Sequence, residues 1–324
     1  MFTINNQTLK KEDFGGVNIN GAQFIDNTMK DCLFESTTYQ GLTFEGNEAG
    51  NTSFDGSKIE QSRFIRNKST AVNFSNTEIS KTWFGPLEKL TACKYIDSQM
   101  GNIMFHEATL TSCEFKGIDS SFVWFRDCDF AHTTFDVIRM AETKFIGSNL
   151  NRTYFRKGLL EDSSIVNSIL EDNFFVEMNF PRSVIRGSEV KDSTFENCKL
   201  ESSTVSDTKF IFCNFDRSEI KNTIINKLEI KSGSYTSCDL SHSEVRQAWV
   251  EQVYFDNTNF GSMTIDHVEF ISCTFSDCKF DGSKITKRTK FRNCTFTNCT
   301  MLNMAEIDES ANFIHSDIRF IRFT

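Results

Sequence analysis

Large apolar residues recur at every fifth position along almost the whole chain. The series begins with Phe14, Ile19 and Phe24, and between residues 90 and 285 only Ser120 at this spacing is not apolar. A period of five fits neither one face of an α-helix nor a simple alternating strand. It therefore predicts a repeated turn of chain, and we call the large apolar residue of each repeat its centre.

The residue two positions before each centre is usually small, as at Thr143, Ser148 and Thr153. Residues two apart in an extended segment point to the same side of the strand. The pattern thus predicts that the centre and this small residue point inward. The residue between them and the two residues after the centre then point outward and form the corner.

Every fourth centre from Phe14 to Phe275 is aromatic. A second column of centres runs as Phe from Phe24 to Phe145 and then changes to Ile or Val from Ile165 to Ile285. A recurrence of twenty residues predicts four segments per coil, with equivalent residues stacked at about 4.8 Å. The expected fold is an all-β, four-sided parallel β-helix of about 15–16 coils, a rod of ~75 Å.

The repeat slips by one residue near 85–89 and again near 286–290. The chain holds only two prolines and no Pro-rich linker. We therefore expect residues 1–324 to form one domain, with a C-terminal segment at about 302–324 that departs from the strict register.

Several repeats match a known five-residue motif: a small residue, Asp or Asn, Leu or Phe, and two polar residues. Examples are residues 213–217 (Cys-Asn-Phe-Asp-Arg) and 238–242 (Cys-Asp-Leu-Ser-His). The chain in this respect resembles the pentapeptide-repeat family, which implies a right-handed quadrilateral β-helix. It departs from the usual motif by using little Ala and much Ser, Thr and Cys at the small position, and by using Phe more than Leu. The motif implies a scaffold and does not specify a function.

The chain offers few candidates for catalysis or metal binding. Each of its eleven cysteines lies two residues before a centre, which favours small buried hydrophobic side chains. The alternative is a metal site at the pairs Cys273/Cys278 and Cys294/Cys299, but the repeat already explains their spacing. The sequence contains no phosphate-binding glycine loop and no recognisable pair of nucleophile and base. We predict no catalytic residue, no metal and no cofactor.

The formal net charge is −9, which disfavours direct binding to nucleic acid or to an anionic membrane. No apolar run is long enough to span a bilayer. The N-terminal residues lack the pattern of a signal peptide. These features predict a cytoplasmic protein, or one secreted without a cleavable signal peptide.

Some apolar residues fall at outward positions. Trp83, Met104 and Trp124 occupy the same outward position in three successive coils, and Tyr154 and Phe174 are related in the same way. Contiguous exposed apolar residues often mark an interface, so these five residues are the candidate partner-binding surface. The alternative, which the sequence leaves open, is that they only cover the strands.

The last residues are too apolar for a free tail. Phe313, Ile318, Phe320 and Phe323 lie in this segment. Because an open end of a β-helix invites edge-to-edge pairing, they predict either a cap over the last coil or a homodimer through the C-terminal end. The resemblance to the pentapeptide-repeat family implies end-to-end dimerisation, so we favour the homodimer.

Two functions compete. The first is a non-enzymatic scaffold that binds a protein partner through its outer faces, including the role of a secreted bacterial effector. The second follows from the resemblance: quinolone-resistance members of the family mimic DNA and protect DNA gyrase or topoisomerase IV. Acidic residues are spread over several sides and mixed with basic ones, so the type II topoisomerase remains the alternative partner and the scaffold is preferred.

Overall fold

A computed structural model describes residues 2–304 and 312–319. The chain divides into two compact units, Met1–Ser163 and Ser164–Thr324, which we call unit 1 and unit 2. All elements of the described residues are β-strands, each unit is a parallel β-solenoid, and the turns number about 16 in total. The sequence-based prediction of an all-β parallel β-helix is confirmed.

Unit 1 contains 23 short strands, most of them three residues long and centred on a large apolar residue. They are β1 (Thr3–Asn5), β2 (Thr8–Lys10), β3 (Asn18–Asn20), β4 (Gln23–Ile25), β5 (Thr28–Lys30), β6 (Thr38–Gln40), β7 (Thr43–Glu45), β8 (Glu48–Gly50), β9 (Lys58–Glu60), β10 (Arg63–Ile65), β11 (Lys68–Thr70), β12 (Glu78–Ser80), β13 (Trp83–Phe84), β14 (Lys89–Thr91), β15 (Lys94–Ile96), β16 (Gln99–His106), β17 (Thr109–Thr111), β18 (Glu114–Lys116), β19 (Asp119–Arg126), β20 (Thr134–Asp136), β21 (Arg139–Ala141), β22 (Lys144–Ile146) and β23 (Tyr154–Glu161).

Unit 2 repeats the same plan. Its strands are β24 (Ser164–Val166), β25 (Ile169–Glu171), β26 (Phe174–Asn179), β27 (Val184–Arg186), β28 (Glu189–Lys191), β29 (Thr194–Glu196), β30 (Thr204–Ser206), β31 (Lys209–Ile211), β32 (Asn214–Asp216), β33 (Ile224–Asn226), β34 (Glu229–Thr236), β35 (Glu244–Arg246), β36 (Trp249–Asp256), β37 (Thr264–Asp266), β38 (Glu269–Ile271), β39 (Thr274–Ser276), β40 (Lys284–Ile285), β41 (Lys290–Arg292), β42 (Thr295–Thr297), β43 (Phe313–Ile314) and β44 (Asp317–Arg319).

Each strand pairs in parallel with the strand one coil later. Phe24 lies opposite Phe44, twenty residues on, and twenty residues at five per segment give a coil with four sides. Where the extra residue enters near Gly85, the partner lies twenty-one residues on, as for Phe84 and Phe105. The insertion thus widens one corner and leaves the stacking of the centres intact.

The corners place residues in the left-handed region of backbone space. The residue two after most centres has a positive φ, for example Asn6 at 54° and Asp26 at 52°. Its N–H donates to a carbonyl of the following coil, as Asn6 N does to Ile25 O at 3.1 Å. Asn, Asp and Gly tolerate this conformation best, which explains the many polar residues and glycines at the corners.

Two aromatic columns fill the core of unit 1. In the first, Phe115 and Phe135 stack with centroids 4.8 Å apart, and Phe135 and Phe155 do the same. In the second, Phe105 and Phe125 stack at 4.9 Å. The columns meet edge to face, with Phe105 and Phe115 centroids 6.5 Å apart and their planes at 84°. This arrangement suits the ring quadrupoles and confirms the predicted aromatic stack.

Hydroxyl groups at the small inward position bridge the coils. Ser57 Oγ donates to Phe34 O at 2.6 Å and accepts from Thr37 N at 3.1 Å. Ser218 in unit 2 bridges Phe195 O and Cys198 N in the same way, at 3.3 and 3.1 Å. These bonds satisfy backbone groups inside the solenoid, which gives Ser and Thr an advantage over Ala at this position.

Ser120 is the exception among the centres of the second half of unit 1. It is buried between Met100 and Met140 in neighbouring coils, and its Oγ has no hydrogen-bond partner.

We expect Ser120→Leu to raise the free energy of unfolding by about 1–2 kcal/mol, because it removes an unsatisfied hydroxyl and restores apolar volume. Thermal unfolding measures the effect. Ser148→Leu is the matched control and should destabilise, because the Ser148 hydroxyl bonds to Phe125 O at 3.2 Å. A lower melting temperature for Ser120→Leu would show that the site has no room.

Candidate protein-binding surface

One outward column of unit 1 carries the aromatic residues singled out in the sequence. The strand register places Trp83 beside Met104 and Met104 beside Trp124. The same column continues to Arg63 on one side and Lys144 on the other. We call Trp83, Met104 and Trp124 the tryptophan column. The structure therefore brings these three predicted residues together.

Basic side chains close both ends of the tryptophan column. Arg63 Cζ lies 5.8 Å from the centroid of the Trp83 ring, and Lys144 Nζ lies 4.7 Å from that of Trp124. Both are within the range of cation–π attraction. Trp124 is 41% exposed, whereas Trp83 and Met104 are half-buried, so the column presents a continuous apolar surface flanked by positive charge.

A corner residue widens this surface. Phe122 is 43% exposed, adjoins the groove that Trp83, Met104 and Trp124 line, and has a φ of 57°. A bulky side chain in the left-handed region costs free energy. The sequence analysis missed Phe122, although its place two residues after Ser120 identifies it as an outward corner residue.

Part of the repeat matches a known protein family. Residues 88–165 match the family model described as a pentapeptide repeat region. This stretch of the chain is therefore a pentapeptide repeat region. No curated protein matches the chain in sequence.

Three solved structures are similar to this chain at low sequence identity. QnrB1, a plasmid-mediated fluoroquinolone resistance protein, is 10% identical, with a TM-score of 0.38, over 63% of this chain and 93% of its own. HetL, involved in heterocyst differentiation regulation in the cyanobacterium Nostoc sp. strain PCC 7120, is 11% identical, with a TM-score of 0.32, over 69% of this chain and 87% of its own. The catalytic domain of a GH87 alpha-1,3-glucanase is 8% identical, with a TM-score of 0.31, over 93% of this chain and 64% of its own. Similarity at this level supports no statement about function or partner.

The other two predicted surface residues lie in different units. Tyr154 in unit 1 is 46% exposed, and Phe174 in unit 2 is 43% exposed. Both point outward, as the pattern predicts. Their joint role in one surface stays a prediction.

Two of the predicted C-terminal residues add a further coil to unit 2. Phe313 pairs with Phe291 and stacks on its ring with centroids 5.0 Å apart, and Ile318 pairs with Phe296. Both are half-buried. Phe320 and Phe323 lie outside the described residues. The homodimer through this end stays a prediction.

All eleven cysteines are free and buried, at the positions expected from the repeat. Most of their thiols donate to carbonyls of the preceding coil, as Cys213 Sγ does to Val190 O at 3.3 Å. Burial raises the pKa of Cys213 to about 11 and that of Cys128 to about 12. Such thiols are poor nucleophiles at neutral pH. Within residues 2–304 and 312–319, no group of three or more His, Cys, Asp or Glu is placed to hold a metal ion.

A stack of polar side chains inside unit 1 ends at a fully buried carboxyl group, that of Glu88. Asn27, Asn47, Asn67 and Glu88 stack at the small inward position, and each Asn amide donates to the next member, Asn67 Nδ2 to Glu88 Oε2 at 2.9 Å. Asn67 N also donates to this oxygen at 3.0 Å, whereas Glu88 Oε1 has no partner. Burial raises the pKa of Glu88 to about 7. Glu88 is fully enclosed, so this carboxyl group acts on stability and cannot meet a substrate.

The remaining charged surface is largely paired from coil to coil. Arg156 donates from Nε and an Nη to the two carboxylate oxygens of Asp136, at 2.9 and 2.8 Å, and the guanidinium lowers the pKa of Asp136. Lys221 lies within 3.2 Å of both Glu219 and Asp239. Basic residues thus interrupt the acidic columns.

Among the described residues, no helix is long and apolar enough to cross a membrane.

Proposed function

We propose that this protein is a non-enzymatic scaffold whose tryptophan column binds a protein partner. The observation that carries the proposal is the contiguous apolar column on an outer surface that is otherwise mostly polar. Aromatic residues dominate the binding energy of many interfaces, and Trp is enriched among such hot spots. The exposed ring of Phe122 supports the proposal, because it adjoins the groove of the tryptophan column and enlarges its apolar surface.

The chemistry of the column indicates an acidic, amphipathic segment as the ligand. Among the described residues, Arg63 and Lys144 form no ion pair with a carboxylate, so both are available to acidic side chains of a partner. The column repeats at about 4.8 Å per coil, close to the 5.4 Å pitch of an α-helix. A helix with apolar residues three or four apart and acidic residues at both ends therefore fits along it.

We also propose that the protein has no catalytic activity. The described titratable groups with the strongest pKa shifts include Glu88 and several cysteine thiols, and these are enclosed in the solenoid. Burial of these groups supports a structural role. Free buried thiols also suit a reducing compartment such as the cytoplasm.

Affinity capture tests the proposal. Wild-type protein and the double variant Trp83→Ser/Trp124→Ser are compared on lysate of the source organism, and the captured partner is then titrated against both. We expect a loss of at least about 30-fold in affinity, equivalent to about 2 kcal/mol, with little change in melting temperature. Arg63→Gln/Lys144→Gln should weaken the dependence of binding on salt.

The matched control is Trp249→Ser/Tyr254→Ser in unit 2, where the two residues are 45% and 43% exposed. This control should bind as wild type. If the partner binds equally well to the Trp83/Trp124 variant, the tryptophan column is not the binding surface. Purified DNA gyrase and topoisomerase IV are included, and binding of either that ignores the tryptophan column would favour the DNA-mimic alternative.

A further inference from the structure

The interior of unit 2 encloses an apolar cavity of about 70 Å³. Centres from all four sides line it, between Leu200 and Phe270 in the chain. The lining includes Val205, Ile225, Ile230 and Val245. The cavity lies entirely within unit 2 and inside its solenoid. It shares no lining residue with the tryptophan column of unit 1.

The sequence explains why packing fails here. In unit 1, Phe rings of the second column fill the core by meeting the first column edge to face, as Phe105 meets Phe115. In unit 2 the second column consists of Ile and Val, which leave part of that space empty. Between residues 165 and 301, Ile230 and Val245 are the two described centres that are not fully buried, and both line the cavity.

The lining determines what the cavity can hold. Among the lining side chains of the described chain, Tyr235 alone carries an oxygen atom. A buried water needs about two to four polar partners, and apolar cavities stay dry. A cavity of ~150 Å³ lined by Leu, Ile and Phe accepts benzene or xenon. The cavity of unit 2 is about half as large.

We propose that unit 2 binds one small apolar molecule in this cavity, of the class of xenon and of hydrocarbons smaller than benzene. An apolar guest of this size makes only dispersion contacts with the lining. The guest would restore the contacts that the change from Phe to Ile and Val removes.

Xenon is the probe. Crystals of the full chain under xenon pressure should show a xenon peak bordered by Ile225, Ile230 and Val245, and xenon NMR in solution should report saturable binding. Ile225→Phe should remove the peak and leave the melting temperature equal or higher, because the ring fills the cavity.

Ile185→Phe is the matched control, since it makes the same change in the same column at a residue that does not line the cavity. It should keep the xenon peak and lower the melting temperature by overpacking. If either Phe variant fails to fold, Val245→Leu adds a single methylene and should reduce xenon occupancy. Ordered water in the wild-type cavity, no xenon there, or equal xenon binding by wild type and Ile225→Phe would overturn the proposal.

Discussion

Replacing Glu88 by Gln should abolish a pH dependence of about 3 kcal/mol in the stability of unit 1. The pKa of Glu88 rises from 4.5 to about 7 because the carboxyl group is buried. Between these values the folded chain binds one proton more than the unfolded chain, so stability falls as pH rises. The loss begins near pH 4.5 and is complete just above pH 7. A difference of about 2.5 pKa units corresponds to about 3 kcal/mol.

A glutamine side chain is neutral at every pH, so Glu88→Gln should match wild type near pH 4 and exceed it at pH 8. Denaturant titrations at both pH values measure this difference, with Trp249→Phe in the background so that emission reports on Trp83 and Trp124 of unit 1. Glu48→Gln is the control, because Glu48 pairs with Lys68 at the surface, with 60% of its side chain exposed. Parallel pH profiles for wild type and Glu88→Gln would show that folding does not raise the pKa of Glu88.

The architecture was predictable because five-residue spacing records the shape of the coil directly. Each centre has to be apolar to enter the core, and equivalent centres stack, so both the number of sides and the aromatic columns follow from the sequence. The stacks of Phe115, Phe135 and Phe155 confirm this reasoning.

The polar side chains of the interior were harder to predict, although the five-residue period also identifies their inward positions. Glu88 lies two residues before the centre Leu90 and is therefore inward by the rule that places Ser and Thr there. Its importance depends on the unpaired Oε1, which no spacing reveals. The hydroxyl bridges are similar: the sequence shows a small residue, and the structure shows that Ser57 bonds to both neighbouring coils.

The candidate surface was predicted in part for a related reason. Outward residues beside a centre are easy to identify, and the register places Trp83, Met104 and Trp124 together as expected. The cations over the rings depend on side-chain conformation, and the exposure of Phe122 depends on the corner backbone. The five-residue period determines neither the position of these cations nor the exposure of Phe122.

Phe195→Ala should destabilise unit 2 by about 3–5 kcal/mol, the usual cost of removing a buried Phe. Phe195 stacks between Phe175 and Phe215, with centroids 4.7 and 4.4 Å away. Both neighbours belong to hydrogen-bonded strands whose spacing is fixed, so the coils cannot collapse into the space and the cavity persists.

Equilibrium unfolding in denaturant measures this loss, with the emission of Trp249 reporting on unit 2. The control is Phe212→Ala, because Phe212 is 52% exposed at a corner with a φ of 54°. Its removal should change stability by less than about 1 kcal/mol. The stacked column transmits damage only between neighbouring coils, so in Phe195→Ala the emission of Trp83 and Trp124 should report a smaller loss than that of Trp249. Equal losses from Phe195→Ala and Phe212→Ala would show that the stacked column does not carry the stability of unit 2.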